Sequence, residues 1–135
     1  HDKNEKPINI FQVVDADSSQ QDAILYSKQG ISFVLQGPPG TGKSKTITNI
    51  IAEALADGTK VLFVSEKMAA LEVVHKRLSQ SGLSDFCLML HSYKVSKKEI
   101  LKELNRTLNI DRIKMQDDAL YQLDSLERKR NQLNE

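Results

Sequence analysis

Eight consecutive residues, Gly37-Pro38-Pro39-Gly40-Thr41-Gly42-Lys43-Ser44, follow the pattern G-x-x-x-x-G-K-[ST]. The chemistry of that spacing is the capture of a phosphate chain. Gly40 and Gly42 allow backbone angles and a closeness of approach that a Cβ would block, so that successive N–H groups turn inward around phosphate oxygens. Gly37 opens the turn, Pro38 and Pro39 stiffen its approach, and Thr41 adds a further contact through its N–H. Lys43 supplies a flexible point charge between β- and γ-phosphates, and the Ser44 hydroxyl is placed to ligate Mg²⁺. Lys43 and Ser44 are the expected catalytic pair. The cofactor-binding set is Gly37 to Ser44 together with Lys45, and the ligands are ATP and Mg²⁺.

Such a loop works only between an element that delivers it and a helix whose positive end faces the anion. Ile31 to Leu35 is a short apolar run, as expected of a buried parallel strand. From Lys43 to Ala56 apolar residues Ile47, Ile50, Ile51, Ala54 and Leu55 recur at helical spacing, and Asp57-Gly58 stops the pattern. Upstream, Asp17 or Ser18 caps a helix of about residues 19–29 that Gly30 ends. Ile10 to Val14 reads as a short strand or an extended segment. Val61 to Val64 reads as a second buried strand, Lys67 to Gln80 as an amphipathic helix with Leu71, Val74 and Leu78 on one stripe, and Phe86 to Leu90 as a third strand. This alternation predicts an α/β fold with a parallel sheet flanked by helices, and with the phosphate loop a P-loop NTPase.

Lys97 to Leu108 is expected to be helical. From Lys114 on, Ala119, Leu123, Leu126 and Leu133 suit a helical insertion or coiled arm. The expected division is a lead-in over 1–12, a partial P-loop NTPase domain over 13–110 and the arm over 111–135.

Composition sets bounds. The chain has 135 residues, and its 19 Lys and Arg against 18 Asp and Glu leave a net charge of +1, so no global field marks it for nucleic acid. A single cysteine, Cys87, excludes an intrachain disulfide and a cysteine zinc cluster. No run approaches the about 18 apolar residues of a membrane span, and the N-terminal stretch is not a signal peptide. A cytoplasmic protein with no membrane partner is expected. The absence of an initiator Met suggests a piece cut from a longer protein.

The flanks of the loop resemble those of superfamily 1 DNA and RNA helicases, in the branch of the nonsense-mediated-decay helicases. Ser19-Gln20-Gln21-Asp22-Ala23-Ile24, with Gln20 standing 17 residues before Gly37, resembles their Q motif. The resemblance implies that Gln20, or failing it Gln21, reads adenine through its side-chain amide, which both donates and accepts. Lys60 to Leu71 resembles their motif Ia. That implies contacts between single-stranded DNA or RNA and the loop residues Ser65 and Lys67, although Glu66-Lys67-Met68 departs from the usual Pro-Ser-Asn. His91 and Lys94, in a loop after the third run, are weaker candidates for the same face. His75 is read as a surface or packing residue and Cys87 as core.

The resemblance covers about residues 13–110 and implies the ATP-binding portion of an ATP-dependent helicase or translocase, a fragment of its first RecA-like motor domain. No apolar run ending in Asp-Glu follows the loop and no second motor domain is present, so weak or absent turnover is expected of the fragment alone. Two other readings stay open. One is an AAA+ ATPase; the other is a nucleotide-binding interaction module whose helical arm binds a protein partner.

Overall fold

The computed structural model describes residues 10–90 and 97–109 and the helical positions 125, 126, 128, 129 and 132. Gln12–Asn109 forms one unit; Ile10, Phe11 and the later helical positions belong to a second. In the first unit four α-helices follow one another: α1 (Ser18–Lys28), α2 (Lys43–Ala56), α3 (Met68–Gln80) and α4 (Lys97–Leu108). A short 3-10 turn spans Ser84–Phe86.

The helix ends follow from single residues. Asp17, in extended conformation, accepts a hydrogen bond from the Gln20 N–H at 2.9 Å, and the Gln20 side chain accepts in return from the Asp17 N–H. This capping box satisfies two donors that a helix start leaves open. Hydrogen bonds from Gln20 first and then from Ser19 hold the Asp17 carboxyl below the usual carboxylate range. The C-termini of α1, α2 and α3 share one device. Gly30, Gly58 and Gly82 take positive φ, and the residue after each returns its N–H to a carbonyl five positions back: Ile31 to Tyr26, Thr59 to Ala54 and Leu83 to Leu78.

Helix α2 lies at the centre, with α1 on one flank and α3 on the other. Its two flanks differ in chemistry. Toward α3 the contact is apolar: Ile51, Val74 and Leu78 are buried, with Ile47, Leu55, Phe63, Leu83 and Cys87 packed around them. Burial pushes the Cys87 thiol up in pKa, and the thiol donates to the Leu83 carbonyl. The other flank buries Thr46, Asn49 and Glu53, and Thr48 is buried beside the apolar stripe. Each has a partner. Thr46 and Thr48 donate to the carbonyls of Gly42 and Ser44, one turn back. Glu53 meets Lys28 of α1 at 2.9 Å. Arg106 of α4 pairs with Asp85 in the 3-10 turn and with Glu103 on its own helix.

The expected parallel sheet is not there. Among the described residues none is in a strand or bridge. Residues 31–35 and 61–64 adopt no regular structure and pair with no strand, and the third run begins inside the 3-10 turn. Val34, Leu62 and Val64 are 91%, 88% and 75% exposed. A parallel strand needs a hydrogen-bonded neighbour and cover on both faces. Of the three runs only Phe63 and Cys87 join the helical core. The described part is therefore helical, and the RecA-like α/β class is corrected to an α-helical arrangement. α1 begins at Ser18 and α3 at Met68, each one residue from its expected start.

The expected arm over 111–135 lies mostly outside the described residues; Leu126 on it is helical and half exposed. His91 and Lys94 lie outside them too. No helix among the described residues is long and apolar enough to cross a membrane.

Candidate nucleotide-binding site

The loop of residues 37–42 runs directly into α2, and its glycines are needed for three different reasons. Gly40 has φ +88° with open space around it, so its conformation excludes a side chain while crowding does not. A Cβ on Gly37 would lie 2.8 Å from Thr41 Oγ1. Gly42 has φ +79°, and a Cβ there would also strike the side-chain amide of Gln20.

The loop wraps its own lysine. Lys43 Nζ donates to the carbonyls of Gly37 at 2.5 Å and Pro38 at 2.7 Å, and reaches Thr41 Oγ1 at 3.4 Å. Thr41 Oγ1 donates to the Pro38 carbonyl at 2.9 Å. The ammonium is thus held over the mouth of the loop by neutral oxygens, which an anion can displace.

Electrostatics at the start of α2 run against the helix's own preference. Helix N-termini favour carboxylates and capping side chains. Here the N-cap is Gly42, which offers no side chain, and the first turn holds no acidic residue. It carries Lys43 and Lys45 instead. Two cations beside open backbone donors make a helix end built for an external anion. The half-buried Ser44 lies one residue beyond Lys43, with its carbonyl fixed by Thr48 at 2.7 Å. The donor set therefore fits a nucleotide triphosphate and its divalent cation.

Gln20 is brought to this loop from α1: its Nε2 donates to the Thr41 carbonyl at 3.3 Å. Gln21, one residue on, is exposed and engaged with Gln12 through reciprocal amide bonds of 2.6 and 2.9 Å. Pro38, Pro39 and Gly40 are exposed at the rim, and Lys45 is half-buried. Ser65 and Lys67 lie in the turn before α3. There the Ser65 hydroxyl bonds the Lys67 backbone at 3.2 Å, and Lys67 is the N-cap of the helix. His75 is half-buried beside an apolar cleft of about 900 Å³ lined by Ile51, Phe63, Val74 and Leu88, and the phosphate loop takes no part in that cleft.

Residues 15–135 match the family described as an AAA domain. The chain belongs to this family. It is 50% identical over 62 residues to the uncharacterized ATP-dependent helicase MG140 of Mycoplasma genitalium, covering 46% of this chain and 6% of that protein. It is 34% identical over 76 residues to the DNA-binding protein SMUBP-2 of Rattus norvegicus, covering 56% of this chain and 8% of that protein. No solved structure matches. The chain thus spans less than a tenth of the length of these relatives. The resemblance to superfamily 1 helicases is borne out by family and relatives together. The chain is thus similar to a small part of proteins of which one is named an ATP-dependent helicase.

One residue at the site escaped the sequence. Asn49, fully buried on α2, accepts from the N–H groups of Val13 and Val14 at 3.0 Å each and donates to the Val14 carbonyl at 2.8 Å. A signal was available: asparagine is a poor helix former, and here it stands inside the apolar pattern of α2.

Proposed function

We propose that the full-length protein is a motor that couples ATP hydrolysis to movement on single-stranded DNA or RNA. The loop N–H groups of Gly40, Thr41 and Gly42 and the start of α2 hold the phosphates. Lys43 leaves the Gly37 and Pro38 carbonyls for the β- and γ-phosphate oxygens, and Lys45 adds positive field. Ser44 would hold Mg²⁺, which when bound neutralises developing phosphate charge. Gln20 reads adenine with its side-chain amide, which both donates and accepts. Ser65 and Lys67 meet the nucleic-acid strand, a reading supported by the place of their loop before α3 and by the DNA-binding name of SMUBP-2. The protein works inside the cell, in the cytoplasm.

The observation that carries this reading is the start of α2, where two lysines and a capless glycine replace the acids a helix start prefers. The test is ATP hydrolysis by the full-length protein with and without single-stranded DNA or RNA, beside Lys43→Ala. Nucleic-acid stimulation that vanishes in the variant is expected. Turnover indifferent to nucleic acid would sink the motor reading and favour an ATPase acting on proteins.

A further inference from the structure

We propose that Asn49 is a positioning residue for base recognition, fixing how far the Gln20 amide stands over the phosphate loop; this rests on Gln20 reading adenine. The chain of contacts is short. Asn49 lies on α2 two turns beyond the loop and is 0% exposed, with all three of its bonds made to the backbone of Val13 and Val14. Only Asp15 and Ala16 separate that clamp from Asp17, the N-cap of α1. The capping box then locks Gln20, at the third position of α1, to Asp17. From there the Gln20 amide reaches the Thr41 carbonyl. Four residues past Asn49, Glu53 binds Lys28 near the other end of α1.

The phosphate cradle and the base-reading amide belong to different elements, and they share a ligand only if α1 keeps its place against α2. A packed apolar contact would leave α1 free to slide by fractions of an ångström. Three hydrogen bonds to consecutive backbone groups fix its entry in direction as well as distance. An asparagine that is 0% exposed and makes its three bonds to main chain does not reach ligand itself, so its influence passes through Gln20.

The test is nucleotide binding by the full-length protein with ATP, GTP and inorganic tripolyphosphate, for wild type, Asn49→Ala, Gln20→Ala and the double variant. Wild type is expected to prefer ATP to GTP. Asn49→Ala is expected to lose that preference by about tenfold, the scale of one well-made hydrogen bond, with tripolyphosphate affinity within about twofold of wild type. The double variant should be no worse than Gln20→Ala. A Gln20→Ala protein that still prefers ATP overturns the base-reading role itself. A Gln20→Ala protein that loses the preference beside an Asn49→Ala protein that keeps it overturns only the positioning role.

Wild type supplies a variant-free check through hydrogen exchange at the Val13 and Val14 amides. Reciprocal linkage requires ATP to slow their exchange more than tripolyphosphate does. Equal protection by both would refute the proposal even if Asn49→Ala fails to fold.

Discussion

The three loop glycines can be separated by one substitution at each, because a methyl group meets a different obstacle in each place. Gly40→Ala adds a side chain in open space at φ +88°, so it meets only the left-handed backbone penalty. That is about 1–2 kcal/mol, or roughly five- to thirtyfold in affinity if nucleotide binding requires the observed loop. ATP, GTP and tripolyphosphate should weaken alike. Gly42→Ala meets a similar penalty at φ +79° and also drives the Gln20 amide off the Thr41 carbonyl. The lost bond adds about 1 kcal/mol, which falls on the base-reading ligand alone. ATP should then weaken by roughly 30- to 150-fold, while tripolyphosphate weakens no more than with Gly40→Ala. Gly37 is free of positive φ, and its new Cβ presses on Thr41 Oγ1 at 2.8 Å. Turning that hydroxyl away breaks its bond to Pro38, for about 1 kcal/mol and no change in base preference. The assay is displacement of a fluorescent nucleotide from the full-length protein by each ligand in turn. If Gly40→Ala alters the ATP to GTP ratio as much as Gly42→Ala, the contact argument fails. If Gly42→Ala binds tripolyphosphate like wild type, the strain argument fails.

Other parts of the structure make independent predictions. Leu78→Ala, which empties the centre of the Ile51–Val74–Leu78 cluster, should cost about 2–5 kcal/mol, toward the low end because the adjoining cleft lets neighbours relax; urea unfolding checks this, and a loss below about 1 kcal/mol would mean the cluster is not the core. The Asp17 carboxyl has a lowered pKa in the folded chain, so its contribution is complete above the unfolded-state value and disappears as pH falls through the folded one. Hydrogen exchange in the first turn of α1 should therefore quicken on acidification in that window, and Asp17→Asn should flatten the dependence.

What the residues revealed depended on whether the deciding interaction was local. The ends of α2 and α4 were legible because their breakers and spacing lie within a few residues of each end. The Gln20 contact with the loop was legible only through the family resemblance; no periodicity links residue 20 to residue 41. The sheet failed for a related reason. Ile31–Leu35 and Val61–Val64 state that the chain is apolar and favours extension, but hydrophobicity does not name a neighbour, and a strand without one is an extended segment. Asn49 was hidden because its partners are backbone groups some 35 positions upstream, and backbone groups leave no mark in composition.

These facts meet in α2. Its first turn, with two lysines and no acid, holds the anion; its polar flank grips the segment entering α1; its apolar flank anchors α3. A helix is stiff along its axis, whereas its neighbours are joined to it by loops. A displacement at the phosphate end is therefore passed to both flanks through one body. The two flanks should respond differently. The polar one is held by a few directional bonds, which break or hold within a few tenths of an ångström. The apolar one rests on non-directional contacts that tolerate small slides. Nucleotide-dependent protection should consequently be concentrated at Val13, Val14 and the first turn of α1, with α3 little changed. Strong protection of α3 with none at Val13 and Val14 would place the coupling on the apolar flank and refute this account.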